Sequence, residues 1–207
     1  MLKQPELIVF PELVETFATA SFASHELQME RRHFLEELAL GDLDFKGQDS
    51  SSASHGFHAF AAKFPPQLPR TFIEKLTMPG ETVLDPMMGS GTAVLEAYML
   101  NRQAIGCDLD PLAIRQSQAK TTWIHPELLK QTAVSLILRA RSWLETAHDP
   151  LPVLHERFTP KAVDFIQYWF LPETQLQLLA LIQAIERLPA GRLRNFMEIA
   201  FSSSLSR

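Results

Sequence analysis

The chain has 207 residues, 46% of them hydrophobic and 21% charged, with a net charge of −5. That is enough to bury a core, and the acidic balance counts against a chain that grips nucleic acid through a basic footprint. A single cysteine excludes a disulfide framework and fits a reducing, cytoplasmic setting; no apolar run approaches the ~18 residues of a membrane span, and the N-terminus lacks a secretory pattern.

Residues 1–45 are expected to form a helical segment. Pro11-Glu-Leu-Val-Glu opens one helical stretch, and Glu26 to Leu40 carries apolar residues at helical spacing until Gly41-Asp42 stops it. Charges there are mixed, so Arg31 and Arg32 read as a solvated face, and His25 and His33 stand isolated with no metal geometry. Residues 46–55, Lys46-Gly-Gln-Asp-Ser-Ser-Ser-Ala-Ser-His55, are polar and serine-rich and read as a linker. The stretch to Pro66 mixes aromatics, Lys63 and two prolines; taken alone, it is a loop whose rings pack on a sheet. Phe72-Ile-Glu-Lys-Leu76 reads as a helix, and Pro79-Gly80 turns the chain.

The next stretch organises the rest. Thr82-Val-Leu-Asp85 reads as a short buried strand ending in a carboxylate, Pro86 to Gly91 as a turn with glycines at 89 and 91, and Thr92 to Leu100 as an apolar helix. Strand, glycine turn and helix form the arrangement in which a nucleotide-like ligand sits beyond the strand's carboxyl end. Glycines suit close approach of ligand to backbone, and the first turn of the helix offers unpaired N–H groups. A second short strand, Arg102 to Asp108, again ends in an acid, about 20 residues past the glycine turn, where dinucleotide folds place the carboxylate that holds ribose hydroxyls. The turn is neither G-x-G-x-x-G nor a phosphate loop. That argues against NAD and ATP and for an adenosine ligand without a pyrophosphate.

Asp85-Pro-Met-Met-Gly-Ser-Gly-Thr92, followed by Gly106-Cys-Asp-Leu-Asp-Pro-Leu-Ala113, resembles the cofactor site of the S-adenosylmethionine-dependent methyltransferases that act on exocyclic amino groups of DNA bases, cytosine-N4 or adenine-N6. His55-Gly-Phe-His-Ala-Phe-Ala-Ala-Lys-Phe-Pro-Pro66 resembles the segment which that family places before the glycine motif. The resemblance covers about residues 55–120. It implies an α/β, Rossmann-like class I methyltransferase fold and S-adenosylmethionine as cofactor, held by Lys63, Phe64, Pro65, Asp85, Pro86, Met87, Gly89, Ser90, Gly91, Thr92, Asp108 and Leu109. In that reading Lys63 neutralises the cofactor's carboxylate and Phe64 packs on its adenine. Met87 departs from the family, which usually carries phenylalanine there. On plainer readings Asp85 caps a turn, Asp108 is a strand-end acid, Met87 and Met88 are packing residues, and Cys107 is a buried strand residue.

Beyond Leu112 the sequence turns helical. Pro111 to Lys120 covers one face of the sheet. Pro126 to Ala147 is amphipathic, with Leu128, Leu129, Ala133, Leu136, Ile137 and Ala140 on one side; Asp149-Pro-Leu-Pro152 breaks it, and Phe158–Phe170, Pro172–Leu188 and Leu193–Leu205 are expected helices. Phe165, Tyr168, Trp169 and Phe170 have the means to stack a base, but their helical spacing favours a packing core. Arg187, Arg192, Arg194 and Arg207 make a modest basic end with a solvated surface as its default. The organisation expected is thus 1–45 helical, 46–55 linker, 56–125 cofactor-binding and 126–207 helical, as an insertion or a C-terminal segment.

The resemblance also implies an (Asp/Asn/Ser)-Pro-Pro-(Tyr/Phe) tetrapeptide that holds the target amine and stacks on a flipped base. None occurs here: Phe64-Pro-Pro-Gln67 has the wrong flanks, and Asp149-Pro-Leu-Pro152 lacks the second proline and the ring. No catalytic residue is therefore assigned. The chain reads as the N-terminal, cofactor-binding part of a DNA methyltransferase, truncated or split, with a three-strand incomplete sheet, no methyl transfer by itself, DNA as the partner of the complete enzyme, and a complementing C-terminal fragment. No metal or membrane is expected. Three alternatives stay open: an RNA guanine methyltransferase with a similar turn, a non-catalytic S-adenosylmethionine-binding module, and a structural role.

Overall fold

The computed structural model describes residues 6–8, 25–41, 43–61 and 63–205. Among them are three strands and nine helices, and the chain divides into two compact units, one reaching Thr122 and the other running from Trp123 to Leu205.

The first unit is built on β1 (Glu6–Ile8), β2 (Thr82–Asp85) and β3 (Gln103–Asp108), in the order β1-β3-β2. β2 and β3 run parallel, with Asp85 opposite Gly106; β1 runs antiparallel along the other side of β3, with Glu6 opposite Asp108. Parallel neighbours require a crossover, and α3 (Thr92–Met99) supplies it. Ile73, Met88, Val94, Ala97, Ala104 and Ile114 form the core, bringing together α2 (Gln67–Leu76), α3, β3 and α4 (Pro111–Thr121). Gly106 belongs to that core because a Cβ there would strike Met88 and Val94. β2 is an edge strand whose residues alternate between exposed and half-buried, leaving Leu84 63% exposed.

The N-terminal segment departs from an all-helical reading: Glu6–Ile8 is a strand, and the helix α1 spans His25–Ala39. The stretch around Pro11, and Asp42, lie outside the described residues. Arg31 is not simply solvated, because its Nη2 pairs with Glu81 at 3.3 Å and fastens α1 to the turn before β2; Arg32 is exposed and pairs with Glu36, one turn along. The serine-rich stretch is tied down. Gln67 Nε2 donates to the Asp49 carbonyl at 2.7 Å, Ser54 Oγ donates to the Lys120 carbonyl at 3.1 Å, and His55 is buried.

The second unit is helical: α5 (Pro126–Leu144), α6 (Leu151–Arg157), α7 (Pro160–Trp169), α8 (Pro172–Glu186) and α9 (Arg192–Leu205). Pro126, Pro160 and Pro172 each open a helix, where proline's missing N–H costs nothing. Leu136, Ala184, Ile185 and Met197 form one core cluster, with Leu129 and Ala133 against it; Leu154, Val163 and Leu179 form another. Leu128 and Ile137, expected on the packed side of α5, are exposed. No described helix is long and apolar enough to cross a membrane.

Candidate functional site

β2 and β3 end side by side, so the loops that follow them, 86–91 and 109–110, meet beyond their carboxyl ends. Backbone hydrogen bonds tie the first loop to β3 and close it on itself. Met88 N donates to the Cys107 carbonyl at 3.0 Å, and Gly91 N closes the turn onto the Met88 carbonyl at 2.8 Å. The Asp108 carboxylate bridges the loops, accepting from Gly89 N at 2.8 Å through one oxygen and from Asp110 N at 2.9 Å through the other. Asp110 in turn caps α4, accepting from Leu112 N at 2.9 Å.

Asp85 accepts from Met87 N at 3.2 Å. Burial raises its carboxyl above the ordinary aspartate value; the Met87 N–H works the other way, and the nearby charge of Asp108 adds to the rise. Two acids that sense each other thus stand at the two strand ends. Met87 (85% exposed) and Leu109 (82%) project from the joined loops, whereas Met88, Ser90 and Thr92 are buried. The packing expected of both methionines therefore holds for Met88 alone.

The glycines have a reason that the sequence did not show. Gly91 sits at φ +78°, before the first residue of α3, and a Cβ there would collide with Ser117 on α4. A Cβ at Gly89 would come within 3.0 Å of the Phe60 ring. Both positions stay free of side chains for close packing of the turn against its own neighbours. The aromatic that lies against the turn is Phe60, while Phe64 is 40% exposed.

Lys63 and Lys120 lie near each other: Lys63 Nζ donates to the His55 carbonyl at 2.9 Å, and Lys120 Nζ, from the last turn of α4, donates to the Ser90 carbonyl at 2.9 Å. Behind them is a buried carboxylate, Glu96, which accepts from Arg70 Nε at 2.8 Å and is 2.7 Å from His55 Nε2. Phe60, Lys120 and the His55–Glu96–Arg70 group were not singled out from the sequence. Glu96 had a signal: it is the one acid in the apolar run Ala93 to Leu100. Lys120 had none, since its partner lies 30 residues away.

Elsewhere, Asp149 Oδ1 accepts from Leu151 N at 3.0 Å in the turn before α6, beside a cavity of about 200 Å³ lined by Pro150, Gln167 and Gln175 among others. The aromatics of α7 are not a core. Phe165, Tyr168 and Trp169 are 61%, 80% and 63% exposed, with Tyr168 packed edge-on against Trp169. Arg194 is engaged by Glu198 at 2.8 Å, and Arg207 lies outside the described residues. Among the described residues no three His, Cys, Asp or Glu side chains gather as a metal site would need.

Residues 34–119, from α1 to α4, match the DNA methylase family of N6/N4 methyltransferases. This part of the chain is similar to that family. The chain is similar to the type II methyltransferase M.MvaI of Kocuria varians, 29% identical over 79% of this chain and 36% of that protein. It is 26% identical to M.MjaII of Methanocaldococcus jannaschii over 46% of this chain and 18% of that protein. Over a shorter stretch, 23% of this chain and 16% of the relative, identity with M.XycI of Xanthomonas campestris pv. cyanopsidis reaches 50%. The chain thus spans about a third or less of the relatives it matches. No solved structure matches it.

Proposed function

We propose that the chain is the cofactor-binding part of a site-specific DNA methyltransferase acting on cytosine-N4 or adenine-N6, with residues 56–125 folded as the first portion of a Rossmann-like class I domain in a cytoplasmic protein. The observation that carries this reading is the Asp108 bridge. One carboxylate joins the glycine turn to the β3–α4 loop, while Met87 and Leu109, on those two loops, stay exposed.

The residues present fit S-adenosylmethionine. A carboxylate has about four acceptor sites, so Asp108 retains capacity for ribose hydroxyls after its two N–H partners. Met87 and Leu109 offer apolar surface to an adenine, Phe64 is placed by the 55–66 segment, and the buried Ser90 Oγ has no partner among the described residues. Asp85, Pro86, Gly89, Gly91 and Thr92 shape the turn, and Pro65 the segment before α2. When bound, the cofactor supplies an electrophilic methyl group. The chain's own part is to fix it in position, since transfer to an amine depends chiefly on alignment. The matching family model is that of a DNA methylase, and the relatives are named type II methyltransferases, which favours DNA over the RNA reading.

The target base needs a seat of its own, and no (Asp/Asn/Ser)-Pro-Pro-(Tyr/Phe) segment stands in this sequence. The isolated chain is therefore expected to bind cofactor without methylating DNA, and a fragment bearing that tetrapeptide to restore transfer. Titration calorimetry with S-adenosylhomocysteine, paired with transfer of labelled methyl groups to DNA, tests both halves. Met87→Ser, at an exposed position, should weaken binding about tenfold through lost apolar contact with an unchanged melting temperature. Absence of binding by the wild type defeats the reading; methyl transfer by the chain alone defeats its second half.

A further inference from the structure

The cofactor reading leaves one buried cation unexplained. Lys120 is 7% exposed, at the end of α4, and among the described residues its ammonium donates to the Ser90 carbonyl. Lysine is almost never fully buried without a partner for its charge. Neither Lys120 nor Lys63 is paired with a carboxylate among the described residues; each ammonium donates to one backbone carbonyl, leaving donors to spare. Ser90, whose carbonyl Lys120 holds, keeps a buried hydroxyl with no partner. Two neighbouring ammonium groups, from the 55–66 segment and α4, and the hydroxyl of the residue that one of them holds are donors that suit an anion.

We propose that Lys120, with Lys63 and the Ser90 hydroxyl, holds the carboxylate at the amino-acid end of S-adenosylmethionine. This rests on the cofactor reading above and adds to it a residue outside the three motifs. Burial, and then the charge of Lys63, lowers the Lys120 ammonium to about 8. Among the described residues Lys63 is the ionisable group that acts on it; the acid of α3, Glu96, is already engaged by His55 and Arg70. A carboxylate arriving between the lysines restores the proton. Because the ammonium is lowered toward the neutral range, binding of a carboxylate near pH 8 is accompanied by proton uptake at this group.

Two ligands separate the outcomes. S-adenosylhomocysteine carries the carboxylate; 5′-methylthioadenosine has the same nucleoside without it. The full chain, Lys120→Met and Lys120→Arg are titrated with each at pH 8, in buffers of different ionisation enthalpy. Lys120→Met should weaken S-adenosylhomocysteine at least about tenfold, as expected for a lost charge-assisted hydrogen bond, and leave 5′-methylthioadenosine unchanged. Lys120→Arg should retain most of the affinity but take up less proton than the wild type. An equal loss for both ligands would mean that Lys120 only braces the Ser90 turn, and would overturn the proposal, as would no loss for either. If the wild type binds neither ligand, the cofactor reading falls first. Melting temperatures of the variants report folding separately.

Discussion

Glu96 shows how a single residue fastens the 55–66 segment over the rest of the first unit. Burial raises its carboxyl, but hydrogen bonds from His55 and then Arg70 outweigh that and hold it below the ordinary glutamate value of 4.5. A carboxyl lowered by folding gives stability that is full above its unfolded value and is lost as pH falls through the folded one. Stability should therefore decline below about pH 4.5 in part because of this group. Glu96→Gln is expected to remove that part of the decline and to cost about 3 kcal/mol at neutral pH, the size typical of breaking a buried charged pair, measured by urea unfolding. Loss of less than about 0.5 kcal/mol would mark the group as incidental. The same arrangement explains what could be read in advance. Asp85, Gly89, Gly91 and Asp108 announce themselves by residue type, an acid at a strand end or a glycine in a turn, although the neighbours that explain the two glycines lie elsewhere in the chain. Glu96 and Lys120 act on partners 41 and 30 residues away, and periodicity carries no record of such distances.

At the scale of elements, the α8 stripe and the cluster around Trp169 on α7 are both expected as exposed surfaces of an incomplete fold, and only the second is one. Leu176, Leu179, Ile182 and Ile185 have the look of an exposed apolar stripe, yet Leu179 and Ile185 are buried at the contacts of α8 with α7 and α5. Phe165, Tyr168 and Trp169 have core spacing, yet Val163 and Ile166 are the α7 residues that pack. A short helix with two apolar faces buries one, and helical periodicity alone does not say which. Leu179→Ala should thus cost about 3 kcal/mol in chemical unfolding, whereas Trp169→Ser should leave unfolding within about 0.5 kcal/mol and instead reduce concentration-dependent association seen by light scattering. The reverse pattern would mean that the rings of α7 are the core after all.

For the whole molecule, the strand–turn–helix–strand centre and its acids were legible, and so was a small sheet with one parallel pair. The antiparallel β1 was not, because three residues, Glu6 to Ile8, are too few to show a period of two. β2 stands at the sheet edge with Leu84 exposed, a geometry that invites a further strand or self-association. We propose that the loops beyond β2 and β3 hold S-adenosylmethionine. Amide hydrogen exchange with and without saturating S-adenosylmethionine tests it most directly, because it reports where binding occurs as well as whether it does. The account predicts slowed exchange in residues 55–66, 86–92 and 108–112, with the helices from Trp123 onward unchanged. Protection confined to residues 123–205, or none at saturation, would contradict it.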